Sequence, residues 1–171
     1  MEANKHTYTS AATALLQKLI ATPSFSKEED ATASILFDYL NNNGVKPNRH
    51  FNNVWAANKH FDPVKPTILL NSHHDTVKPN AGYTIDPYNA IIRDGKLYGL
   101  GSNDAGASLV SLLHVFLHYY TWENLAYNII FAGTAEEEIS GKNGIEGLVP
   151  ELPAINCAII GEPTGMQLAV A

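Results

Sequence analysis

One histidine and several carboxylates stand next to predicted strands and helices at four places in the sequence. Residues 71–75 (Asn-Ser-His-His-Asp) follow an apolar run, and residues 99–104 (Gly-Leu-Gly-Ser-Asn-Asp) precede a helical pattern. Residues 133–138 end in three glutamates after a second apolar run, and residues 161–163 (Gly-Glu-Pro) follow a third. The binding crevice of an open parallel sheet lies beyond the carboxyl ends of its strands. We therefore expect one imidazole and several carboxylates to meet at one edge of a sheet.

Such a group of like charges favours a bound cation, because unpaired carboxylates in a crevice destabilise the folded chain. Imidazole and carboxylate ligands without a thiolate are typical of catalytic zinc, and the excess of carboxylates suits two bridged metal ions. Taken alone, each segment favours a simpler interpretation, with residues 136–138 as a solvated loop and His73 as a hydrogen-bonded strand end. The four segments together favour the metal site.

The elements that would position these residues alternate between strands and helices. Helical spacing covers residues 9–22 and ends at Pro23, and a longer helix is predicted over residues 105–120. Apolar runs at residues 67–71, 127–132 and 158–160 indicate strands, with a short helix around residues 143–148. This alternation predicts an α/β domain with a mostly parallel sheet and helices on both faces.

Two short motifs predict local structure. Residues 26–29 (Ser-Lys-Glu-Glu) match a capping box and predict the start of a helix that ends at Asn43-Gly44. Asp94-Gly95 predicts a tight hairpin, which we expect at the sheet edge. Residues 166–171 begin a further apolar run in which the sequence stops. We therefore expect the 171 residues to be part of a longer protein.

Composition excludes several classes of protein. The chain has 171 residues, 45% of them hydrophobic and 16% charged, which predicts one globular domain. With 11 basic and 17 acidic residues and no basic block, nucleic acid is not an expected partner. The sequence shows no membrane span and no secretory signal, so we expect a cytoplasmic protein. Cys157 is the one cysteine, which excludes a disulfide framework, and its apolar surroundings predict burial.

The four segments resemble the metal-binding motifs of a known enzyme family. Residues 72–77 (Ser-His-His-Asp-Thr-Val) look like the His-x-Asp signature of the dinuclear zinc amidohydrolases. That family includes acetylornithine deacetylase, succinyl-diaminopimelate desuccinylase, aminoacylase and glutamate carboxypeptidase. Residues 99–104 resemble its bridging-aspartate loop, residues 135–138 its acidic segment, and residues 161–164 its Gly-Glu-Pro-Thr/Ser loop. Order and spacing agree, so the resemblance covers nearly the whole chain.

The resemblance implies a ligand set for two zinc ions, for which Co²⁺ or Mn²⁺ could substitute. His73 and Glu162 would bind one ion, Glu138 would bind the second, and Asp104 would bridge them. The family's second zinc also takes a histidine from a later segment, beyond an inserted lid or dimerisation domain. Residues 1–171 would then be the N-terminal part of the catalytic domain. We expect them alone to bind metal weakly and not to turn over substrate.

The resemblance also implies two catalytic roles. Asp75 would orient the imidazole of His73 by holding its other ring nitrogen. Glu137 would be the general base that accepts a proton from water activated by the two zinc ions and then passes it to the leaving amine. Because three glutamates are consecutive, an alignment with the family motif that is shifted by one residue would make Glu136 the base instead.

The implied reaction is zinc-dependent hydrolysis of the amide bond of an N-acyl amino acid or peptide. Residues 99–106 and 134–144 look most like bacterial acetylornithine deacetylases, which favours N-acetyl- or N-succinyl-ornithine as substrate in arginine biosynthesis. A succinyl-diaminopimelate desuccinylase, a dipeptidase or a carboxypeptidase of the same fold fits the sequence nearly as well. Because the family's lid commonly forms dimers, we expect the full-length protein to be a homodimer.

Two other classes of protein are alternatives to a metal-dependent enzyme. Gly99-x-Gly101 before a helix is part of a dinucleotide-binding fingerprint, but Asp104 replaces its third glycine and would repel a pyrophosphate. A non-catalytic relative could keep the fold for binding alone, although Glu137 and the four in-chain ligands argue against it. Hydrolysis that depends on metal would separate these classes.

The other histidines carry weaker signals. His74 should point to the opposite face of its strand from His73, as a buried residue rather than a ligand. His114 and His118 are four residues apart on a predicted helix, but the glutamate of the zincin motif is missing between them. We expect both to belong to a solvated or partly buried helix face.

Overall fold

The helices and strands alternate along the chain. A computed structural model describes residues 2–165 and residue 167, with side chains described from Tyr8 onward. The helices are α1 (Glu2–Ile20), α2 (Asp30–Asn42), α3 (Ala107–Tyr119) and α4 (Ile145–Leu148). The strands are β1 (Asn48–His50), β2 (Asn53–Ala57), β3 (Thr67–His73), β4 (Ile91–Arg93), β5 (Lys96–Tyr98), β6 (Asn128–Thr134) and β7 (Cys157–Ile160). Among these residues, no helix combines the length and the apolar character needed to cross a bilayer.

Five strands form a mixed sheet in the order β1-β2-β6-β3-β7. β3 pairs in parallel with both β6 and β7, whereas β2 pairs antiparallel with β6 and with β1. His73 at the end of β3 lies opposite Thr134 at the end of β6. The predicted α/β class is confirmed, and the strands that carry candidate residues form its parallel part.

Helices cover both faces of this sheet. On one face, α1, α2 and α3 pack against inward-pointing strand residues such as Leu70 and Phe131. On the other face, Leu148 of α4 packs with Leu69 and Ile130. Successive strand residues point to opposite faces, so a strand buried on both sides must be apolar at consecutive positions. This arrangement explains the unbroken apolar runs of β3 and β6.

The start of α2 differs from the capping-box prediction. The helix begins at Asp30, and no side-chain hydrogen bond caps it. The Ser26 hydroxyl donates instead to Asp75 Oδ2 at 2.7 Å. The Glu29 carboxylate accepts hydrogen bonds from the amides of Lys27, at 2.7 Å, and of the distant Glu136, at 3.1 Å. The prediction was wrong because both motif side chains make contacts with residues far along the chain.

Two strands were not predicted, and two other expectations need correction. The sequence pattern does not predict β1 and β2, which are short and antiparallel to their neighbours. The hairpin at Asp94-Gly95 is confirmed, but β4 and β5 form a separate two-stranded sheet rather than an edge of the main one. Cys157 is exposed, because β7 lies at the sheet edge and all four of its residues are accessible. The apolar run at residues 166–171 lies, except for Gln167, outside the described residues.

Candidate metal centre

Four loops bring the predicted site residues together at one edge of the sheet. His73 is the last residue of β3, and residues 136–138, here called the acidic turn, follow β6. Glu162 follows β7, and Asp104 lies in a π-helical turn, Ser102–Gly106, before α3. Because β3, β6 and β7 run parallel, their carboxyl ends lie side by side.

His73 is at the centre of this group. Its side chain is 1% exposed, and its Nε2 atom lies 3.1 Å from Asp104 Oδ1. The same nitrogen lies 3.7 Å from Glu137 Oε2 and 3.7 Å from Glu162 Oε2. Three carboxylates from three different loops therefore surround one imidazole nitrogen.

The donor atoms fit a divalent metal ion. One ligand atom from each of His73, Asp104 and Glu138 lies within 4.8 Å of the other two. His73 is buried, while Asp104 is exposed, so the group is open to solvent on one side. An imidazole nitrogen with carboxylate oxygens and an open side is typical of catalytic zinc sites.

The carboxylates also change the pKa of His73. Burial lowers this pKa, but the hydrogen bond to Asp75 and the charges of Asp75, Glu162 and Glu137 outweigh burial and raise it to about 9. The same negative charges would attract a metal cation, which takes the place of the ring proton when it binds.

Two of the carboxyl groups are destabilised as anions. Burial and the charge of Asp104 raise the pKa of Glu138. Burial also raises the pKa of Glu162, with repulsion from Glu137, Asp104 and Glu138, against a lowering by His73. Like charges held this close are relieved by a bound cation.

Asp75 connects the histidine to the acidic turn. His73 Nδ1 lies 3.1 Å from the backbone carbonyl of Asp75 and 3.3 Å from its Oδ1 atom, and the Asp75 side chain is fully buried. The amides of Glu137 and Glu138 each donate to this carboxylate at 3.1 Å, and the Ser26 hydroxyl donates at 2.7 Å. Burial alone would raise the pKa of Asp75, but these hydrogen bonds lower it overall. Asp75 thus holds the ring of His73, with its backbone carbonyl and its carboxylate, and the same carboxylate holds the backbone of the acidic turn.

Glu136 points away from His73, unlike the two glutamates that follow it. Glu136 has a left-handed backbone, with φ of 55°, and its carboxylate accepts hydrogen bonds from the Nδ2 and backbone N–H of Asn143 at 3.0 and 3.3 Å. A Cβ atom at Gly141 would overlap that carboxylate, so a glycine is required there. Glu136 is 5% exposed, whereas the Glu137 side chain is half exposed and lies beside His73. Of the two residues that the sequence leaves open as the base, Glu137 lies at the candidate metal centre.

The turn that carries Asp104 depends on Gly101. Gly101 has φ of 72°, and its carbonyl accepts the Gly106 amide at 2.9 Å. A Cβ atom at Gly101 would lie 2.7 Å from Thr76 Cγ2. This glycine therefore shapes a turn that directs a carboxylate to His73, where a dinucleotide-binding loop would present amides to a phosphate.

His74, His114 and His118 lie outside the candidate metal centre. His74 is buried, as predicted, with Nδ1 2.9 Å from Thr32 Oγ1 and Nε2 2.9 Å from the carbonyl of Asn52. His114 is also buried, and its Nε2 lies 2.9 Å from the Tyr39 hydroxyl. His118 is exposed on the same helix.

Sequence reasoning missed the side chains that support the acidic turn. Glu29 and Asn53 are both fully buried and accept the amides of Glu136 and Ala135, at 3.1 and 3.0 Å. Neither residue belongs to a recognisable metal motif, and Glu29 matches a capping box. Their distance of 82 to 107 residues from these amides leaves no local signal.

A cavity of about 310 Å³ adjoins the group. His73, Glu137 and Glu162 lie on its wall, together with apolar side chains such as Ile145 and Ile160. A small organic molecule in this space would contact both the carboxylates and an apolar surface.

Similar proteins are found by sequence and by structure. The model of peptidase family M20/M25/M40 matches residues 69–171. A succinyl-diaminopimelate desuccinylase of Blochmanniella pennsylvanica is 32% identical over 170 residues, which cover 92% of this chain and 44% of the relative. One from Corynebacterium glutamicum is 33% identical over 158 residues, 88% of this chain and 41% of the relative. The chain thus spans less than half the length of these curated relatives.

Solved structures show the same fold. The M20 family metallo-carboxypeptidase Sso-CP2 from Sulfolobus solfataricus has a TM-score of 0.72 and 23% identity, over 88% of this chain and 37% of that one. The YXEP protein of Bacillus subtilis, described as a dinuclear metal binding peptidase from the M20 family, has a TM-score of 0.68 and 15% identity, over 91% and 43%. From the family match over most of its length, together with these relatives, the chain belongs to peptidase family M20/M25/M40.

Proposed function

We propose that the full-length protein is a metal-dependent hydrolase of the amide bond in N-acyl amino acids or small peptides. The observation that carries this proposal is the meeting of His73, Asp104 and Glu138 within 4.8 Å, with Glu137 beside them on the wall of a cavity. Family membership supports the same chemistry, and one structural neighbour is described as binding two metal ions.

Two zinc ions are the proposed cofactors. His73 and Glu162 would hold one ion, Glu138 would hold the other, and Asp104 would contact both. The short distances from His73 Nε2 to Asp104 and Glu162 support a shared ion at that nitrogen. Residues 1–171 would form the N-terminal part of the catalytic domain, and a later segment of the protein would supply a histidine and a lid. The relatives' greater length is consistent with this arrangement.

Glu137 is the proposed general base. The bound ions would polarise the substrate carbonyl and make a water molecule more acidic. Glu137 accepts the proton of the attacking water and returns it to the amine nitrogen as the amide C–N bond breaks. Asp75 holds Nδ1 of His73, which leaves Nε2 facing Asp104. The carboxylate of Glu137 is half exposed at the cavity and is therefore accessible to substrate.

N-acyl diamino acids are the proposed substrate class. The relatives described above are named for succinyl-diaminopimelate, so acetylornithine and a place in arginine biosynthesis gain no support over the desuccinylase alternative. Both compounds present an amide beside a carboxylate and carry a second amino group. A dipeptide substrate is the second candidate, because several structural neighbours are peptidases. We also propose that the full-length protein is a homodimer, which light scattering in solution would test.

The test uses the full-length protein, assayed for metal content and for hydrolysis of N-succinyl-diaminopimelate, N-acetylornithine and carnosine. We expect close to two zinc ions per chain and hydrolysis that a chelator abolishes. Glu137→Gln should retain the metal and lose about 10²- to 10⁴-fold in kcat, the usual contribution of a general base. Glu123→Gln, at an exposed position after α3, is the matched control and should behave as wild type. Wild-type protein that binds metal but hydrolyses none of the three compounds would contradict the proposal.

A further inference from the structure

Glu29 is a fully buried carboxylate that lies just before α2 and close to the acidic turn. Its Oε1 atom accepts the amides of Lys27 at 2.7 Å and Glu136 at 3.1 Å. Its Oε2 atom accepts the Nδ2 of Asn52 at 2.8 Å. A buried carboxylate without compensating donors would strongly destabilise the fold, so these three donors must be its compensation. The ion pairs found among the described residues do not include Glu29.

A helix-capping role does not explain these contacts. A capping glutamate accepts a backbone amide at the start of its own helix. Of the amides that Glu29 accepts, only that of Lys27 is local in this way. The Glu136 amide, in contrast, lies 107 residues from Glu29 in the sequence. It belongs to a residue with left-handed φ that turns the chain directly after β6.

Glu29 completes a row of four amides held by buried side chains. The Ala135 amide donates to Asn53, the Glu136 amide to Glu29, and the next two amides, of Glu137 and Glu138, to Asp75. Consecutive amides fixed in this way leave the backbone of the turn little freedom to rotate. The directions of the side chains at 137 and 138 follow from that backbone.

We propose that Glu29 is a positioning residue that holds the acidic turn so that Glu137 and Glu138 face His73. This inference rests on the proposed function, because it explains how the general base and a metal ligand are oriented. Glu29 does not touch the candidate metal centre itself. It acts through the amide of Glu136, whose own carboxylate is turned away to Asn143.

Glu29→Gln tests this role because an amide cannot satisfy all three donors. Its nitrogen must face either Asn52 Nδ2 or the amides of Lys27 and Glu136, which places a donor against a donor. Asn52 is not free to turn its own amide, because its Oδ1 accepts Arg49 Nη2 at 2.8 Å. Asn52→Asp added to Glu29→Gln replaces the opposing donor by an acceptor and leaves an oxygen for Arg49. The double variant E29Q/N52D therefore restores every donor and acceptor pair and the net charge.

In the full-length, metal-loaded protein, we expect E29Q to lower kcat for the best substrate by about 10- to 100-fold, as for a small misplacement of a catalytic group. KM should change by less than about threefold, and E29Q/N52D should return kcat to within about threefold of wild type. In the metal-free protein, amide hydrogen exchange over residues 133–140 should become faster in E29Q and slow again in E29Q/N52D. If E29Q does not fold, Glu29→Asp keeps the charge but is one methylene too short to reach both amides, and takes its place.

Val45→Ala separates positioning from stability. Val45 is 2% exposed and packs in the core between the sheet and helices α1, α2 and α3. Its truncation should therefore lower Tm without changing kcat or exchange over residues 133–140. Wild-type kcat and exchange in E29Q would overturn the proposal, as would a kcat loss that V45A reproduces at equal Tm. The exchange measurement needs no substrate. An inactive wild type would therefore refute the proposed function, while the exchange pattern would still support or overturn the role of Glu29.

Discussion

Two buried histidines of this chain lie in opposite electrostatic environments. His73, 1% exposed at the end of β3, is surrounded by carboxylates, and its pKa is raised to about 9. His114, 8% exposed in the middle of α3, lies between the Val110 carbonyl and the Tyr39 hydroxyl. Burial lowers the pKa of His114, and the opposing effect of its hydrogen bond to Val110 does not reverse this.

Burial acts in the same direction on both rings, so the difference comes from the groups that each element brings near. The middle of a helix offers a backbone carbonyl four residues earlier and uncharged side chains of packed helices. The end of a parallel strand faces the loops that follow its neighbours, and here both of those loops carry carboxylates, as does the turn before α3. A buried histidine therefore indicates a metal site when charged loops from several elements converge on it, and a packing role when helices enclose it.

The largest expected difference is between His73→Ala and His114→Ala in the full-length protein. Loss of the His73 ring should reduce hydrolysis by at least about 10³-fold, because metal catalysis contributes several kcal/mol. Metal content should fall with it. His114→Ala should keep kcat and metal content and lower Tm. Elemental analysis and kcat of both purified variants give the result, and equal metal loss in both would break the comparison.

Asp75→Asn changes the surroundings of His73 while keeping its ring. An asparagine at this position would direct an NH₂ group at His73 Nδ1 or at the amides of Glu137 and Glu138. We expect metal affinity and kcat/KM to fall by about 10- to 100-fold, as for other residues that orient a ligand. Competition with a chelator measures the affinity, and Asp94→Asn on the exposed hairpin turn is the control. Unchanged affinity in D75N would contradict the role of Asp75.

The pH dependence of stability should report on His114. Because its pKa is lowered in the folded state from 6.5, the unfolded chain binds this proton more tightly. The stability that the neutral ring provides is present above that pH and is lost as the pH falls below it. Between about pH 7.5 and about pH 5.5, wild type should lose free energy of unfolding relative to His114→Phe, by at most about 1.4 kcal/mol per pH unit. Urea unfolding of both proteins measures this, and parallel curves would show that His114 titrates normally.

The smallest expected effect is that of Tyr39→Phe. It removes the hydroxyl that lies 2.9 Å from His114 Nε2 and keeps the aromatic ring. We expect a loss of about 1 kcal/mol in the free energy of unfolding, with kcat and metal content unchanged. Loss of metal in Y39F would show that the core beneath α1, α2 and α3 is coupled to the candidate metal centre.

Sequence reasoning succeeds here where the signal is local or repeated. Asp94-Gly95 forms a hairpin because both residues adopt positive φ, of 53° and 73°. The order of strands and helices, with a polar segment after each parallel strand, is enough to bring His73, Glu137 and Glu162 to one edge. These results require only residue type and spacing.

Sequence reasoning fails where a side chain contacts a distant part of the chain. Ser26 and Glu29 have the types and spacing of a capping box, yet they contact Asp75 and Glu136. The direction of Glu136, away from His73, depends on Asn143 and on Gly141, which no spacing rule connects to it. Cys157 is exposed although its neighbours in sequence are apolar, because exposure depends on the position of β7 in the sheet.

The central claim is that the loops after β3, β6 and β7, with the turn before α3, hold a metal centre. X-ray diffraction from crystals of the full-length protein, with data collected on both sides of the zinc absorption edge, tests it most directly. We predict two anomalous peaks about 3.5–4 Å apart, the usual spacing of paired catalytic metals. His73 and Glu162 should lie at one peak, Glu138 at the other, and Asp104 between them. Zinc-loaded crystals with no peak at these residues, or with peaks bound elsewhere, would contradict the account.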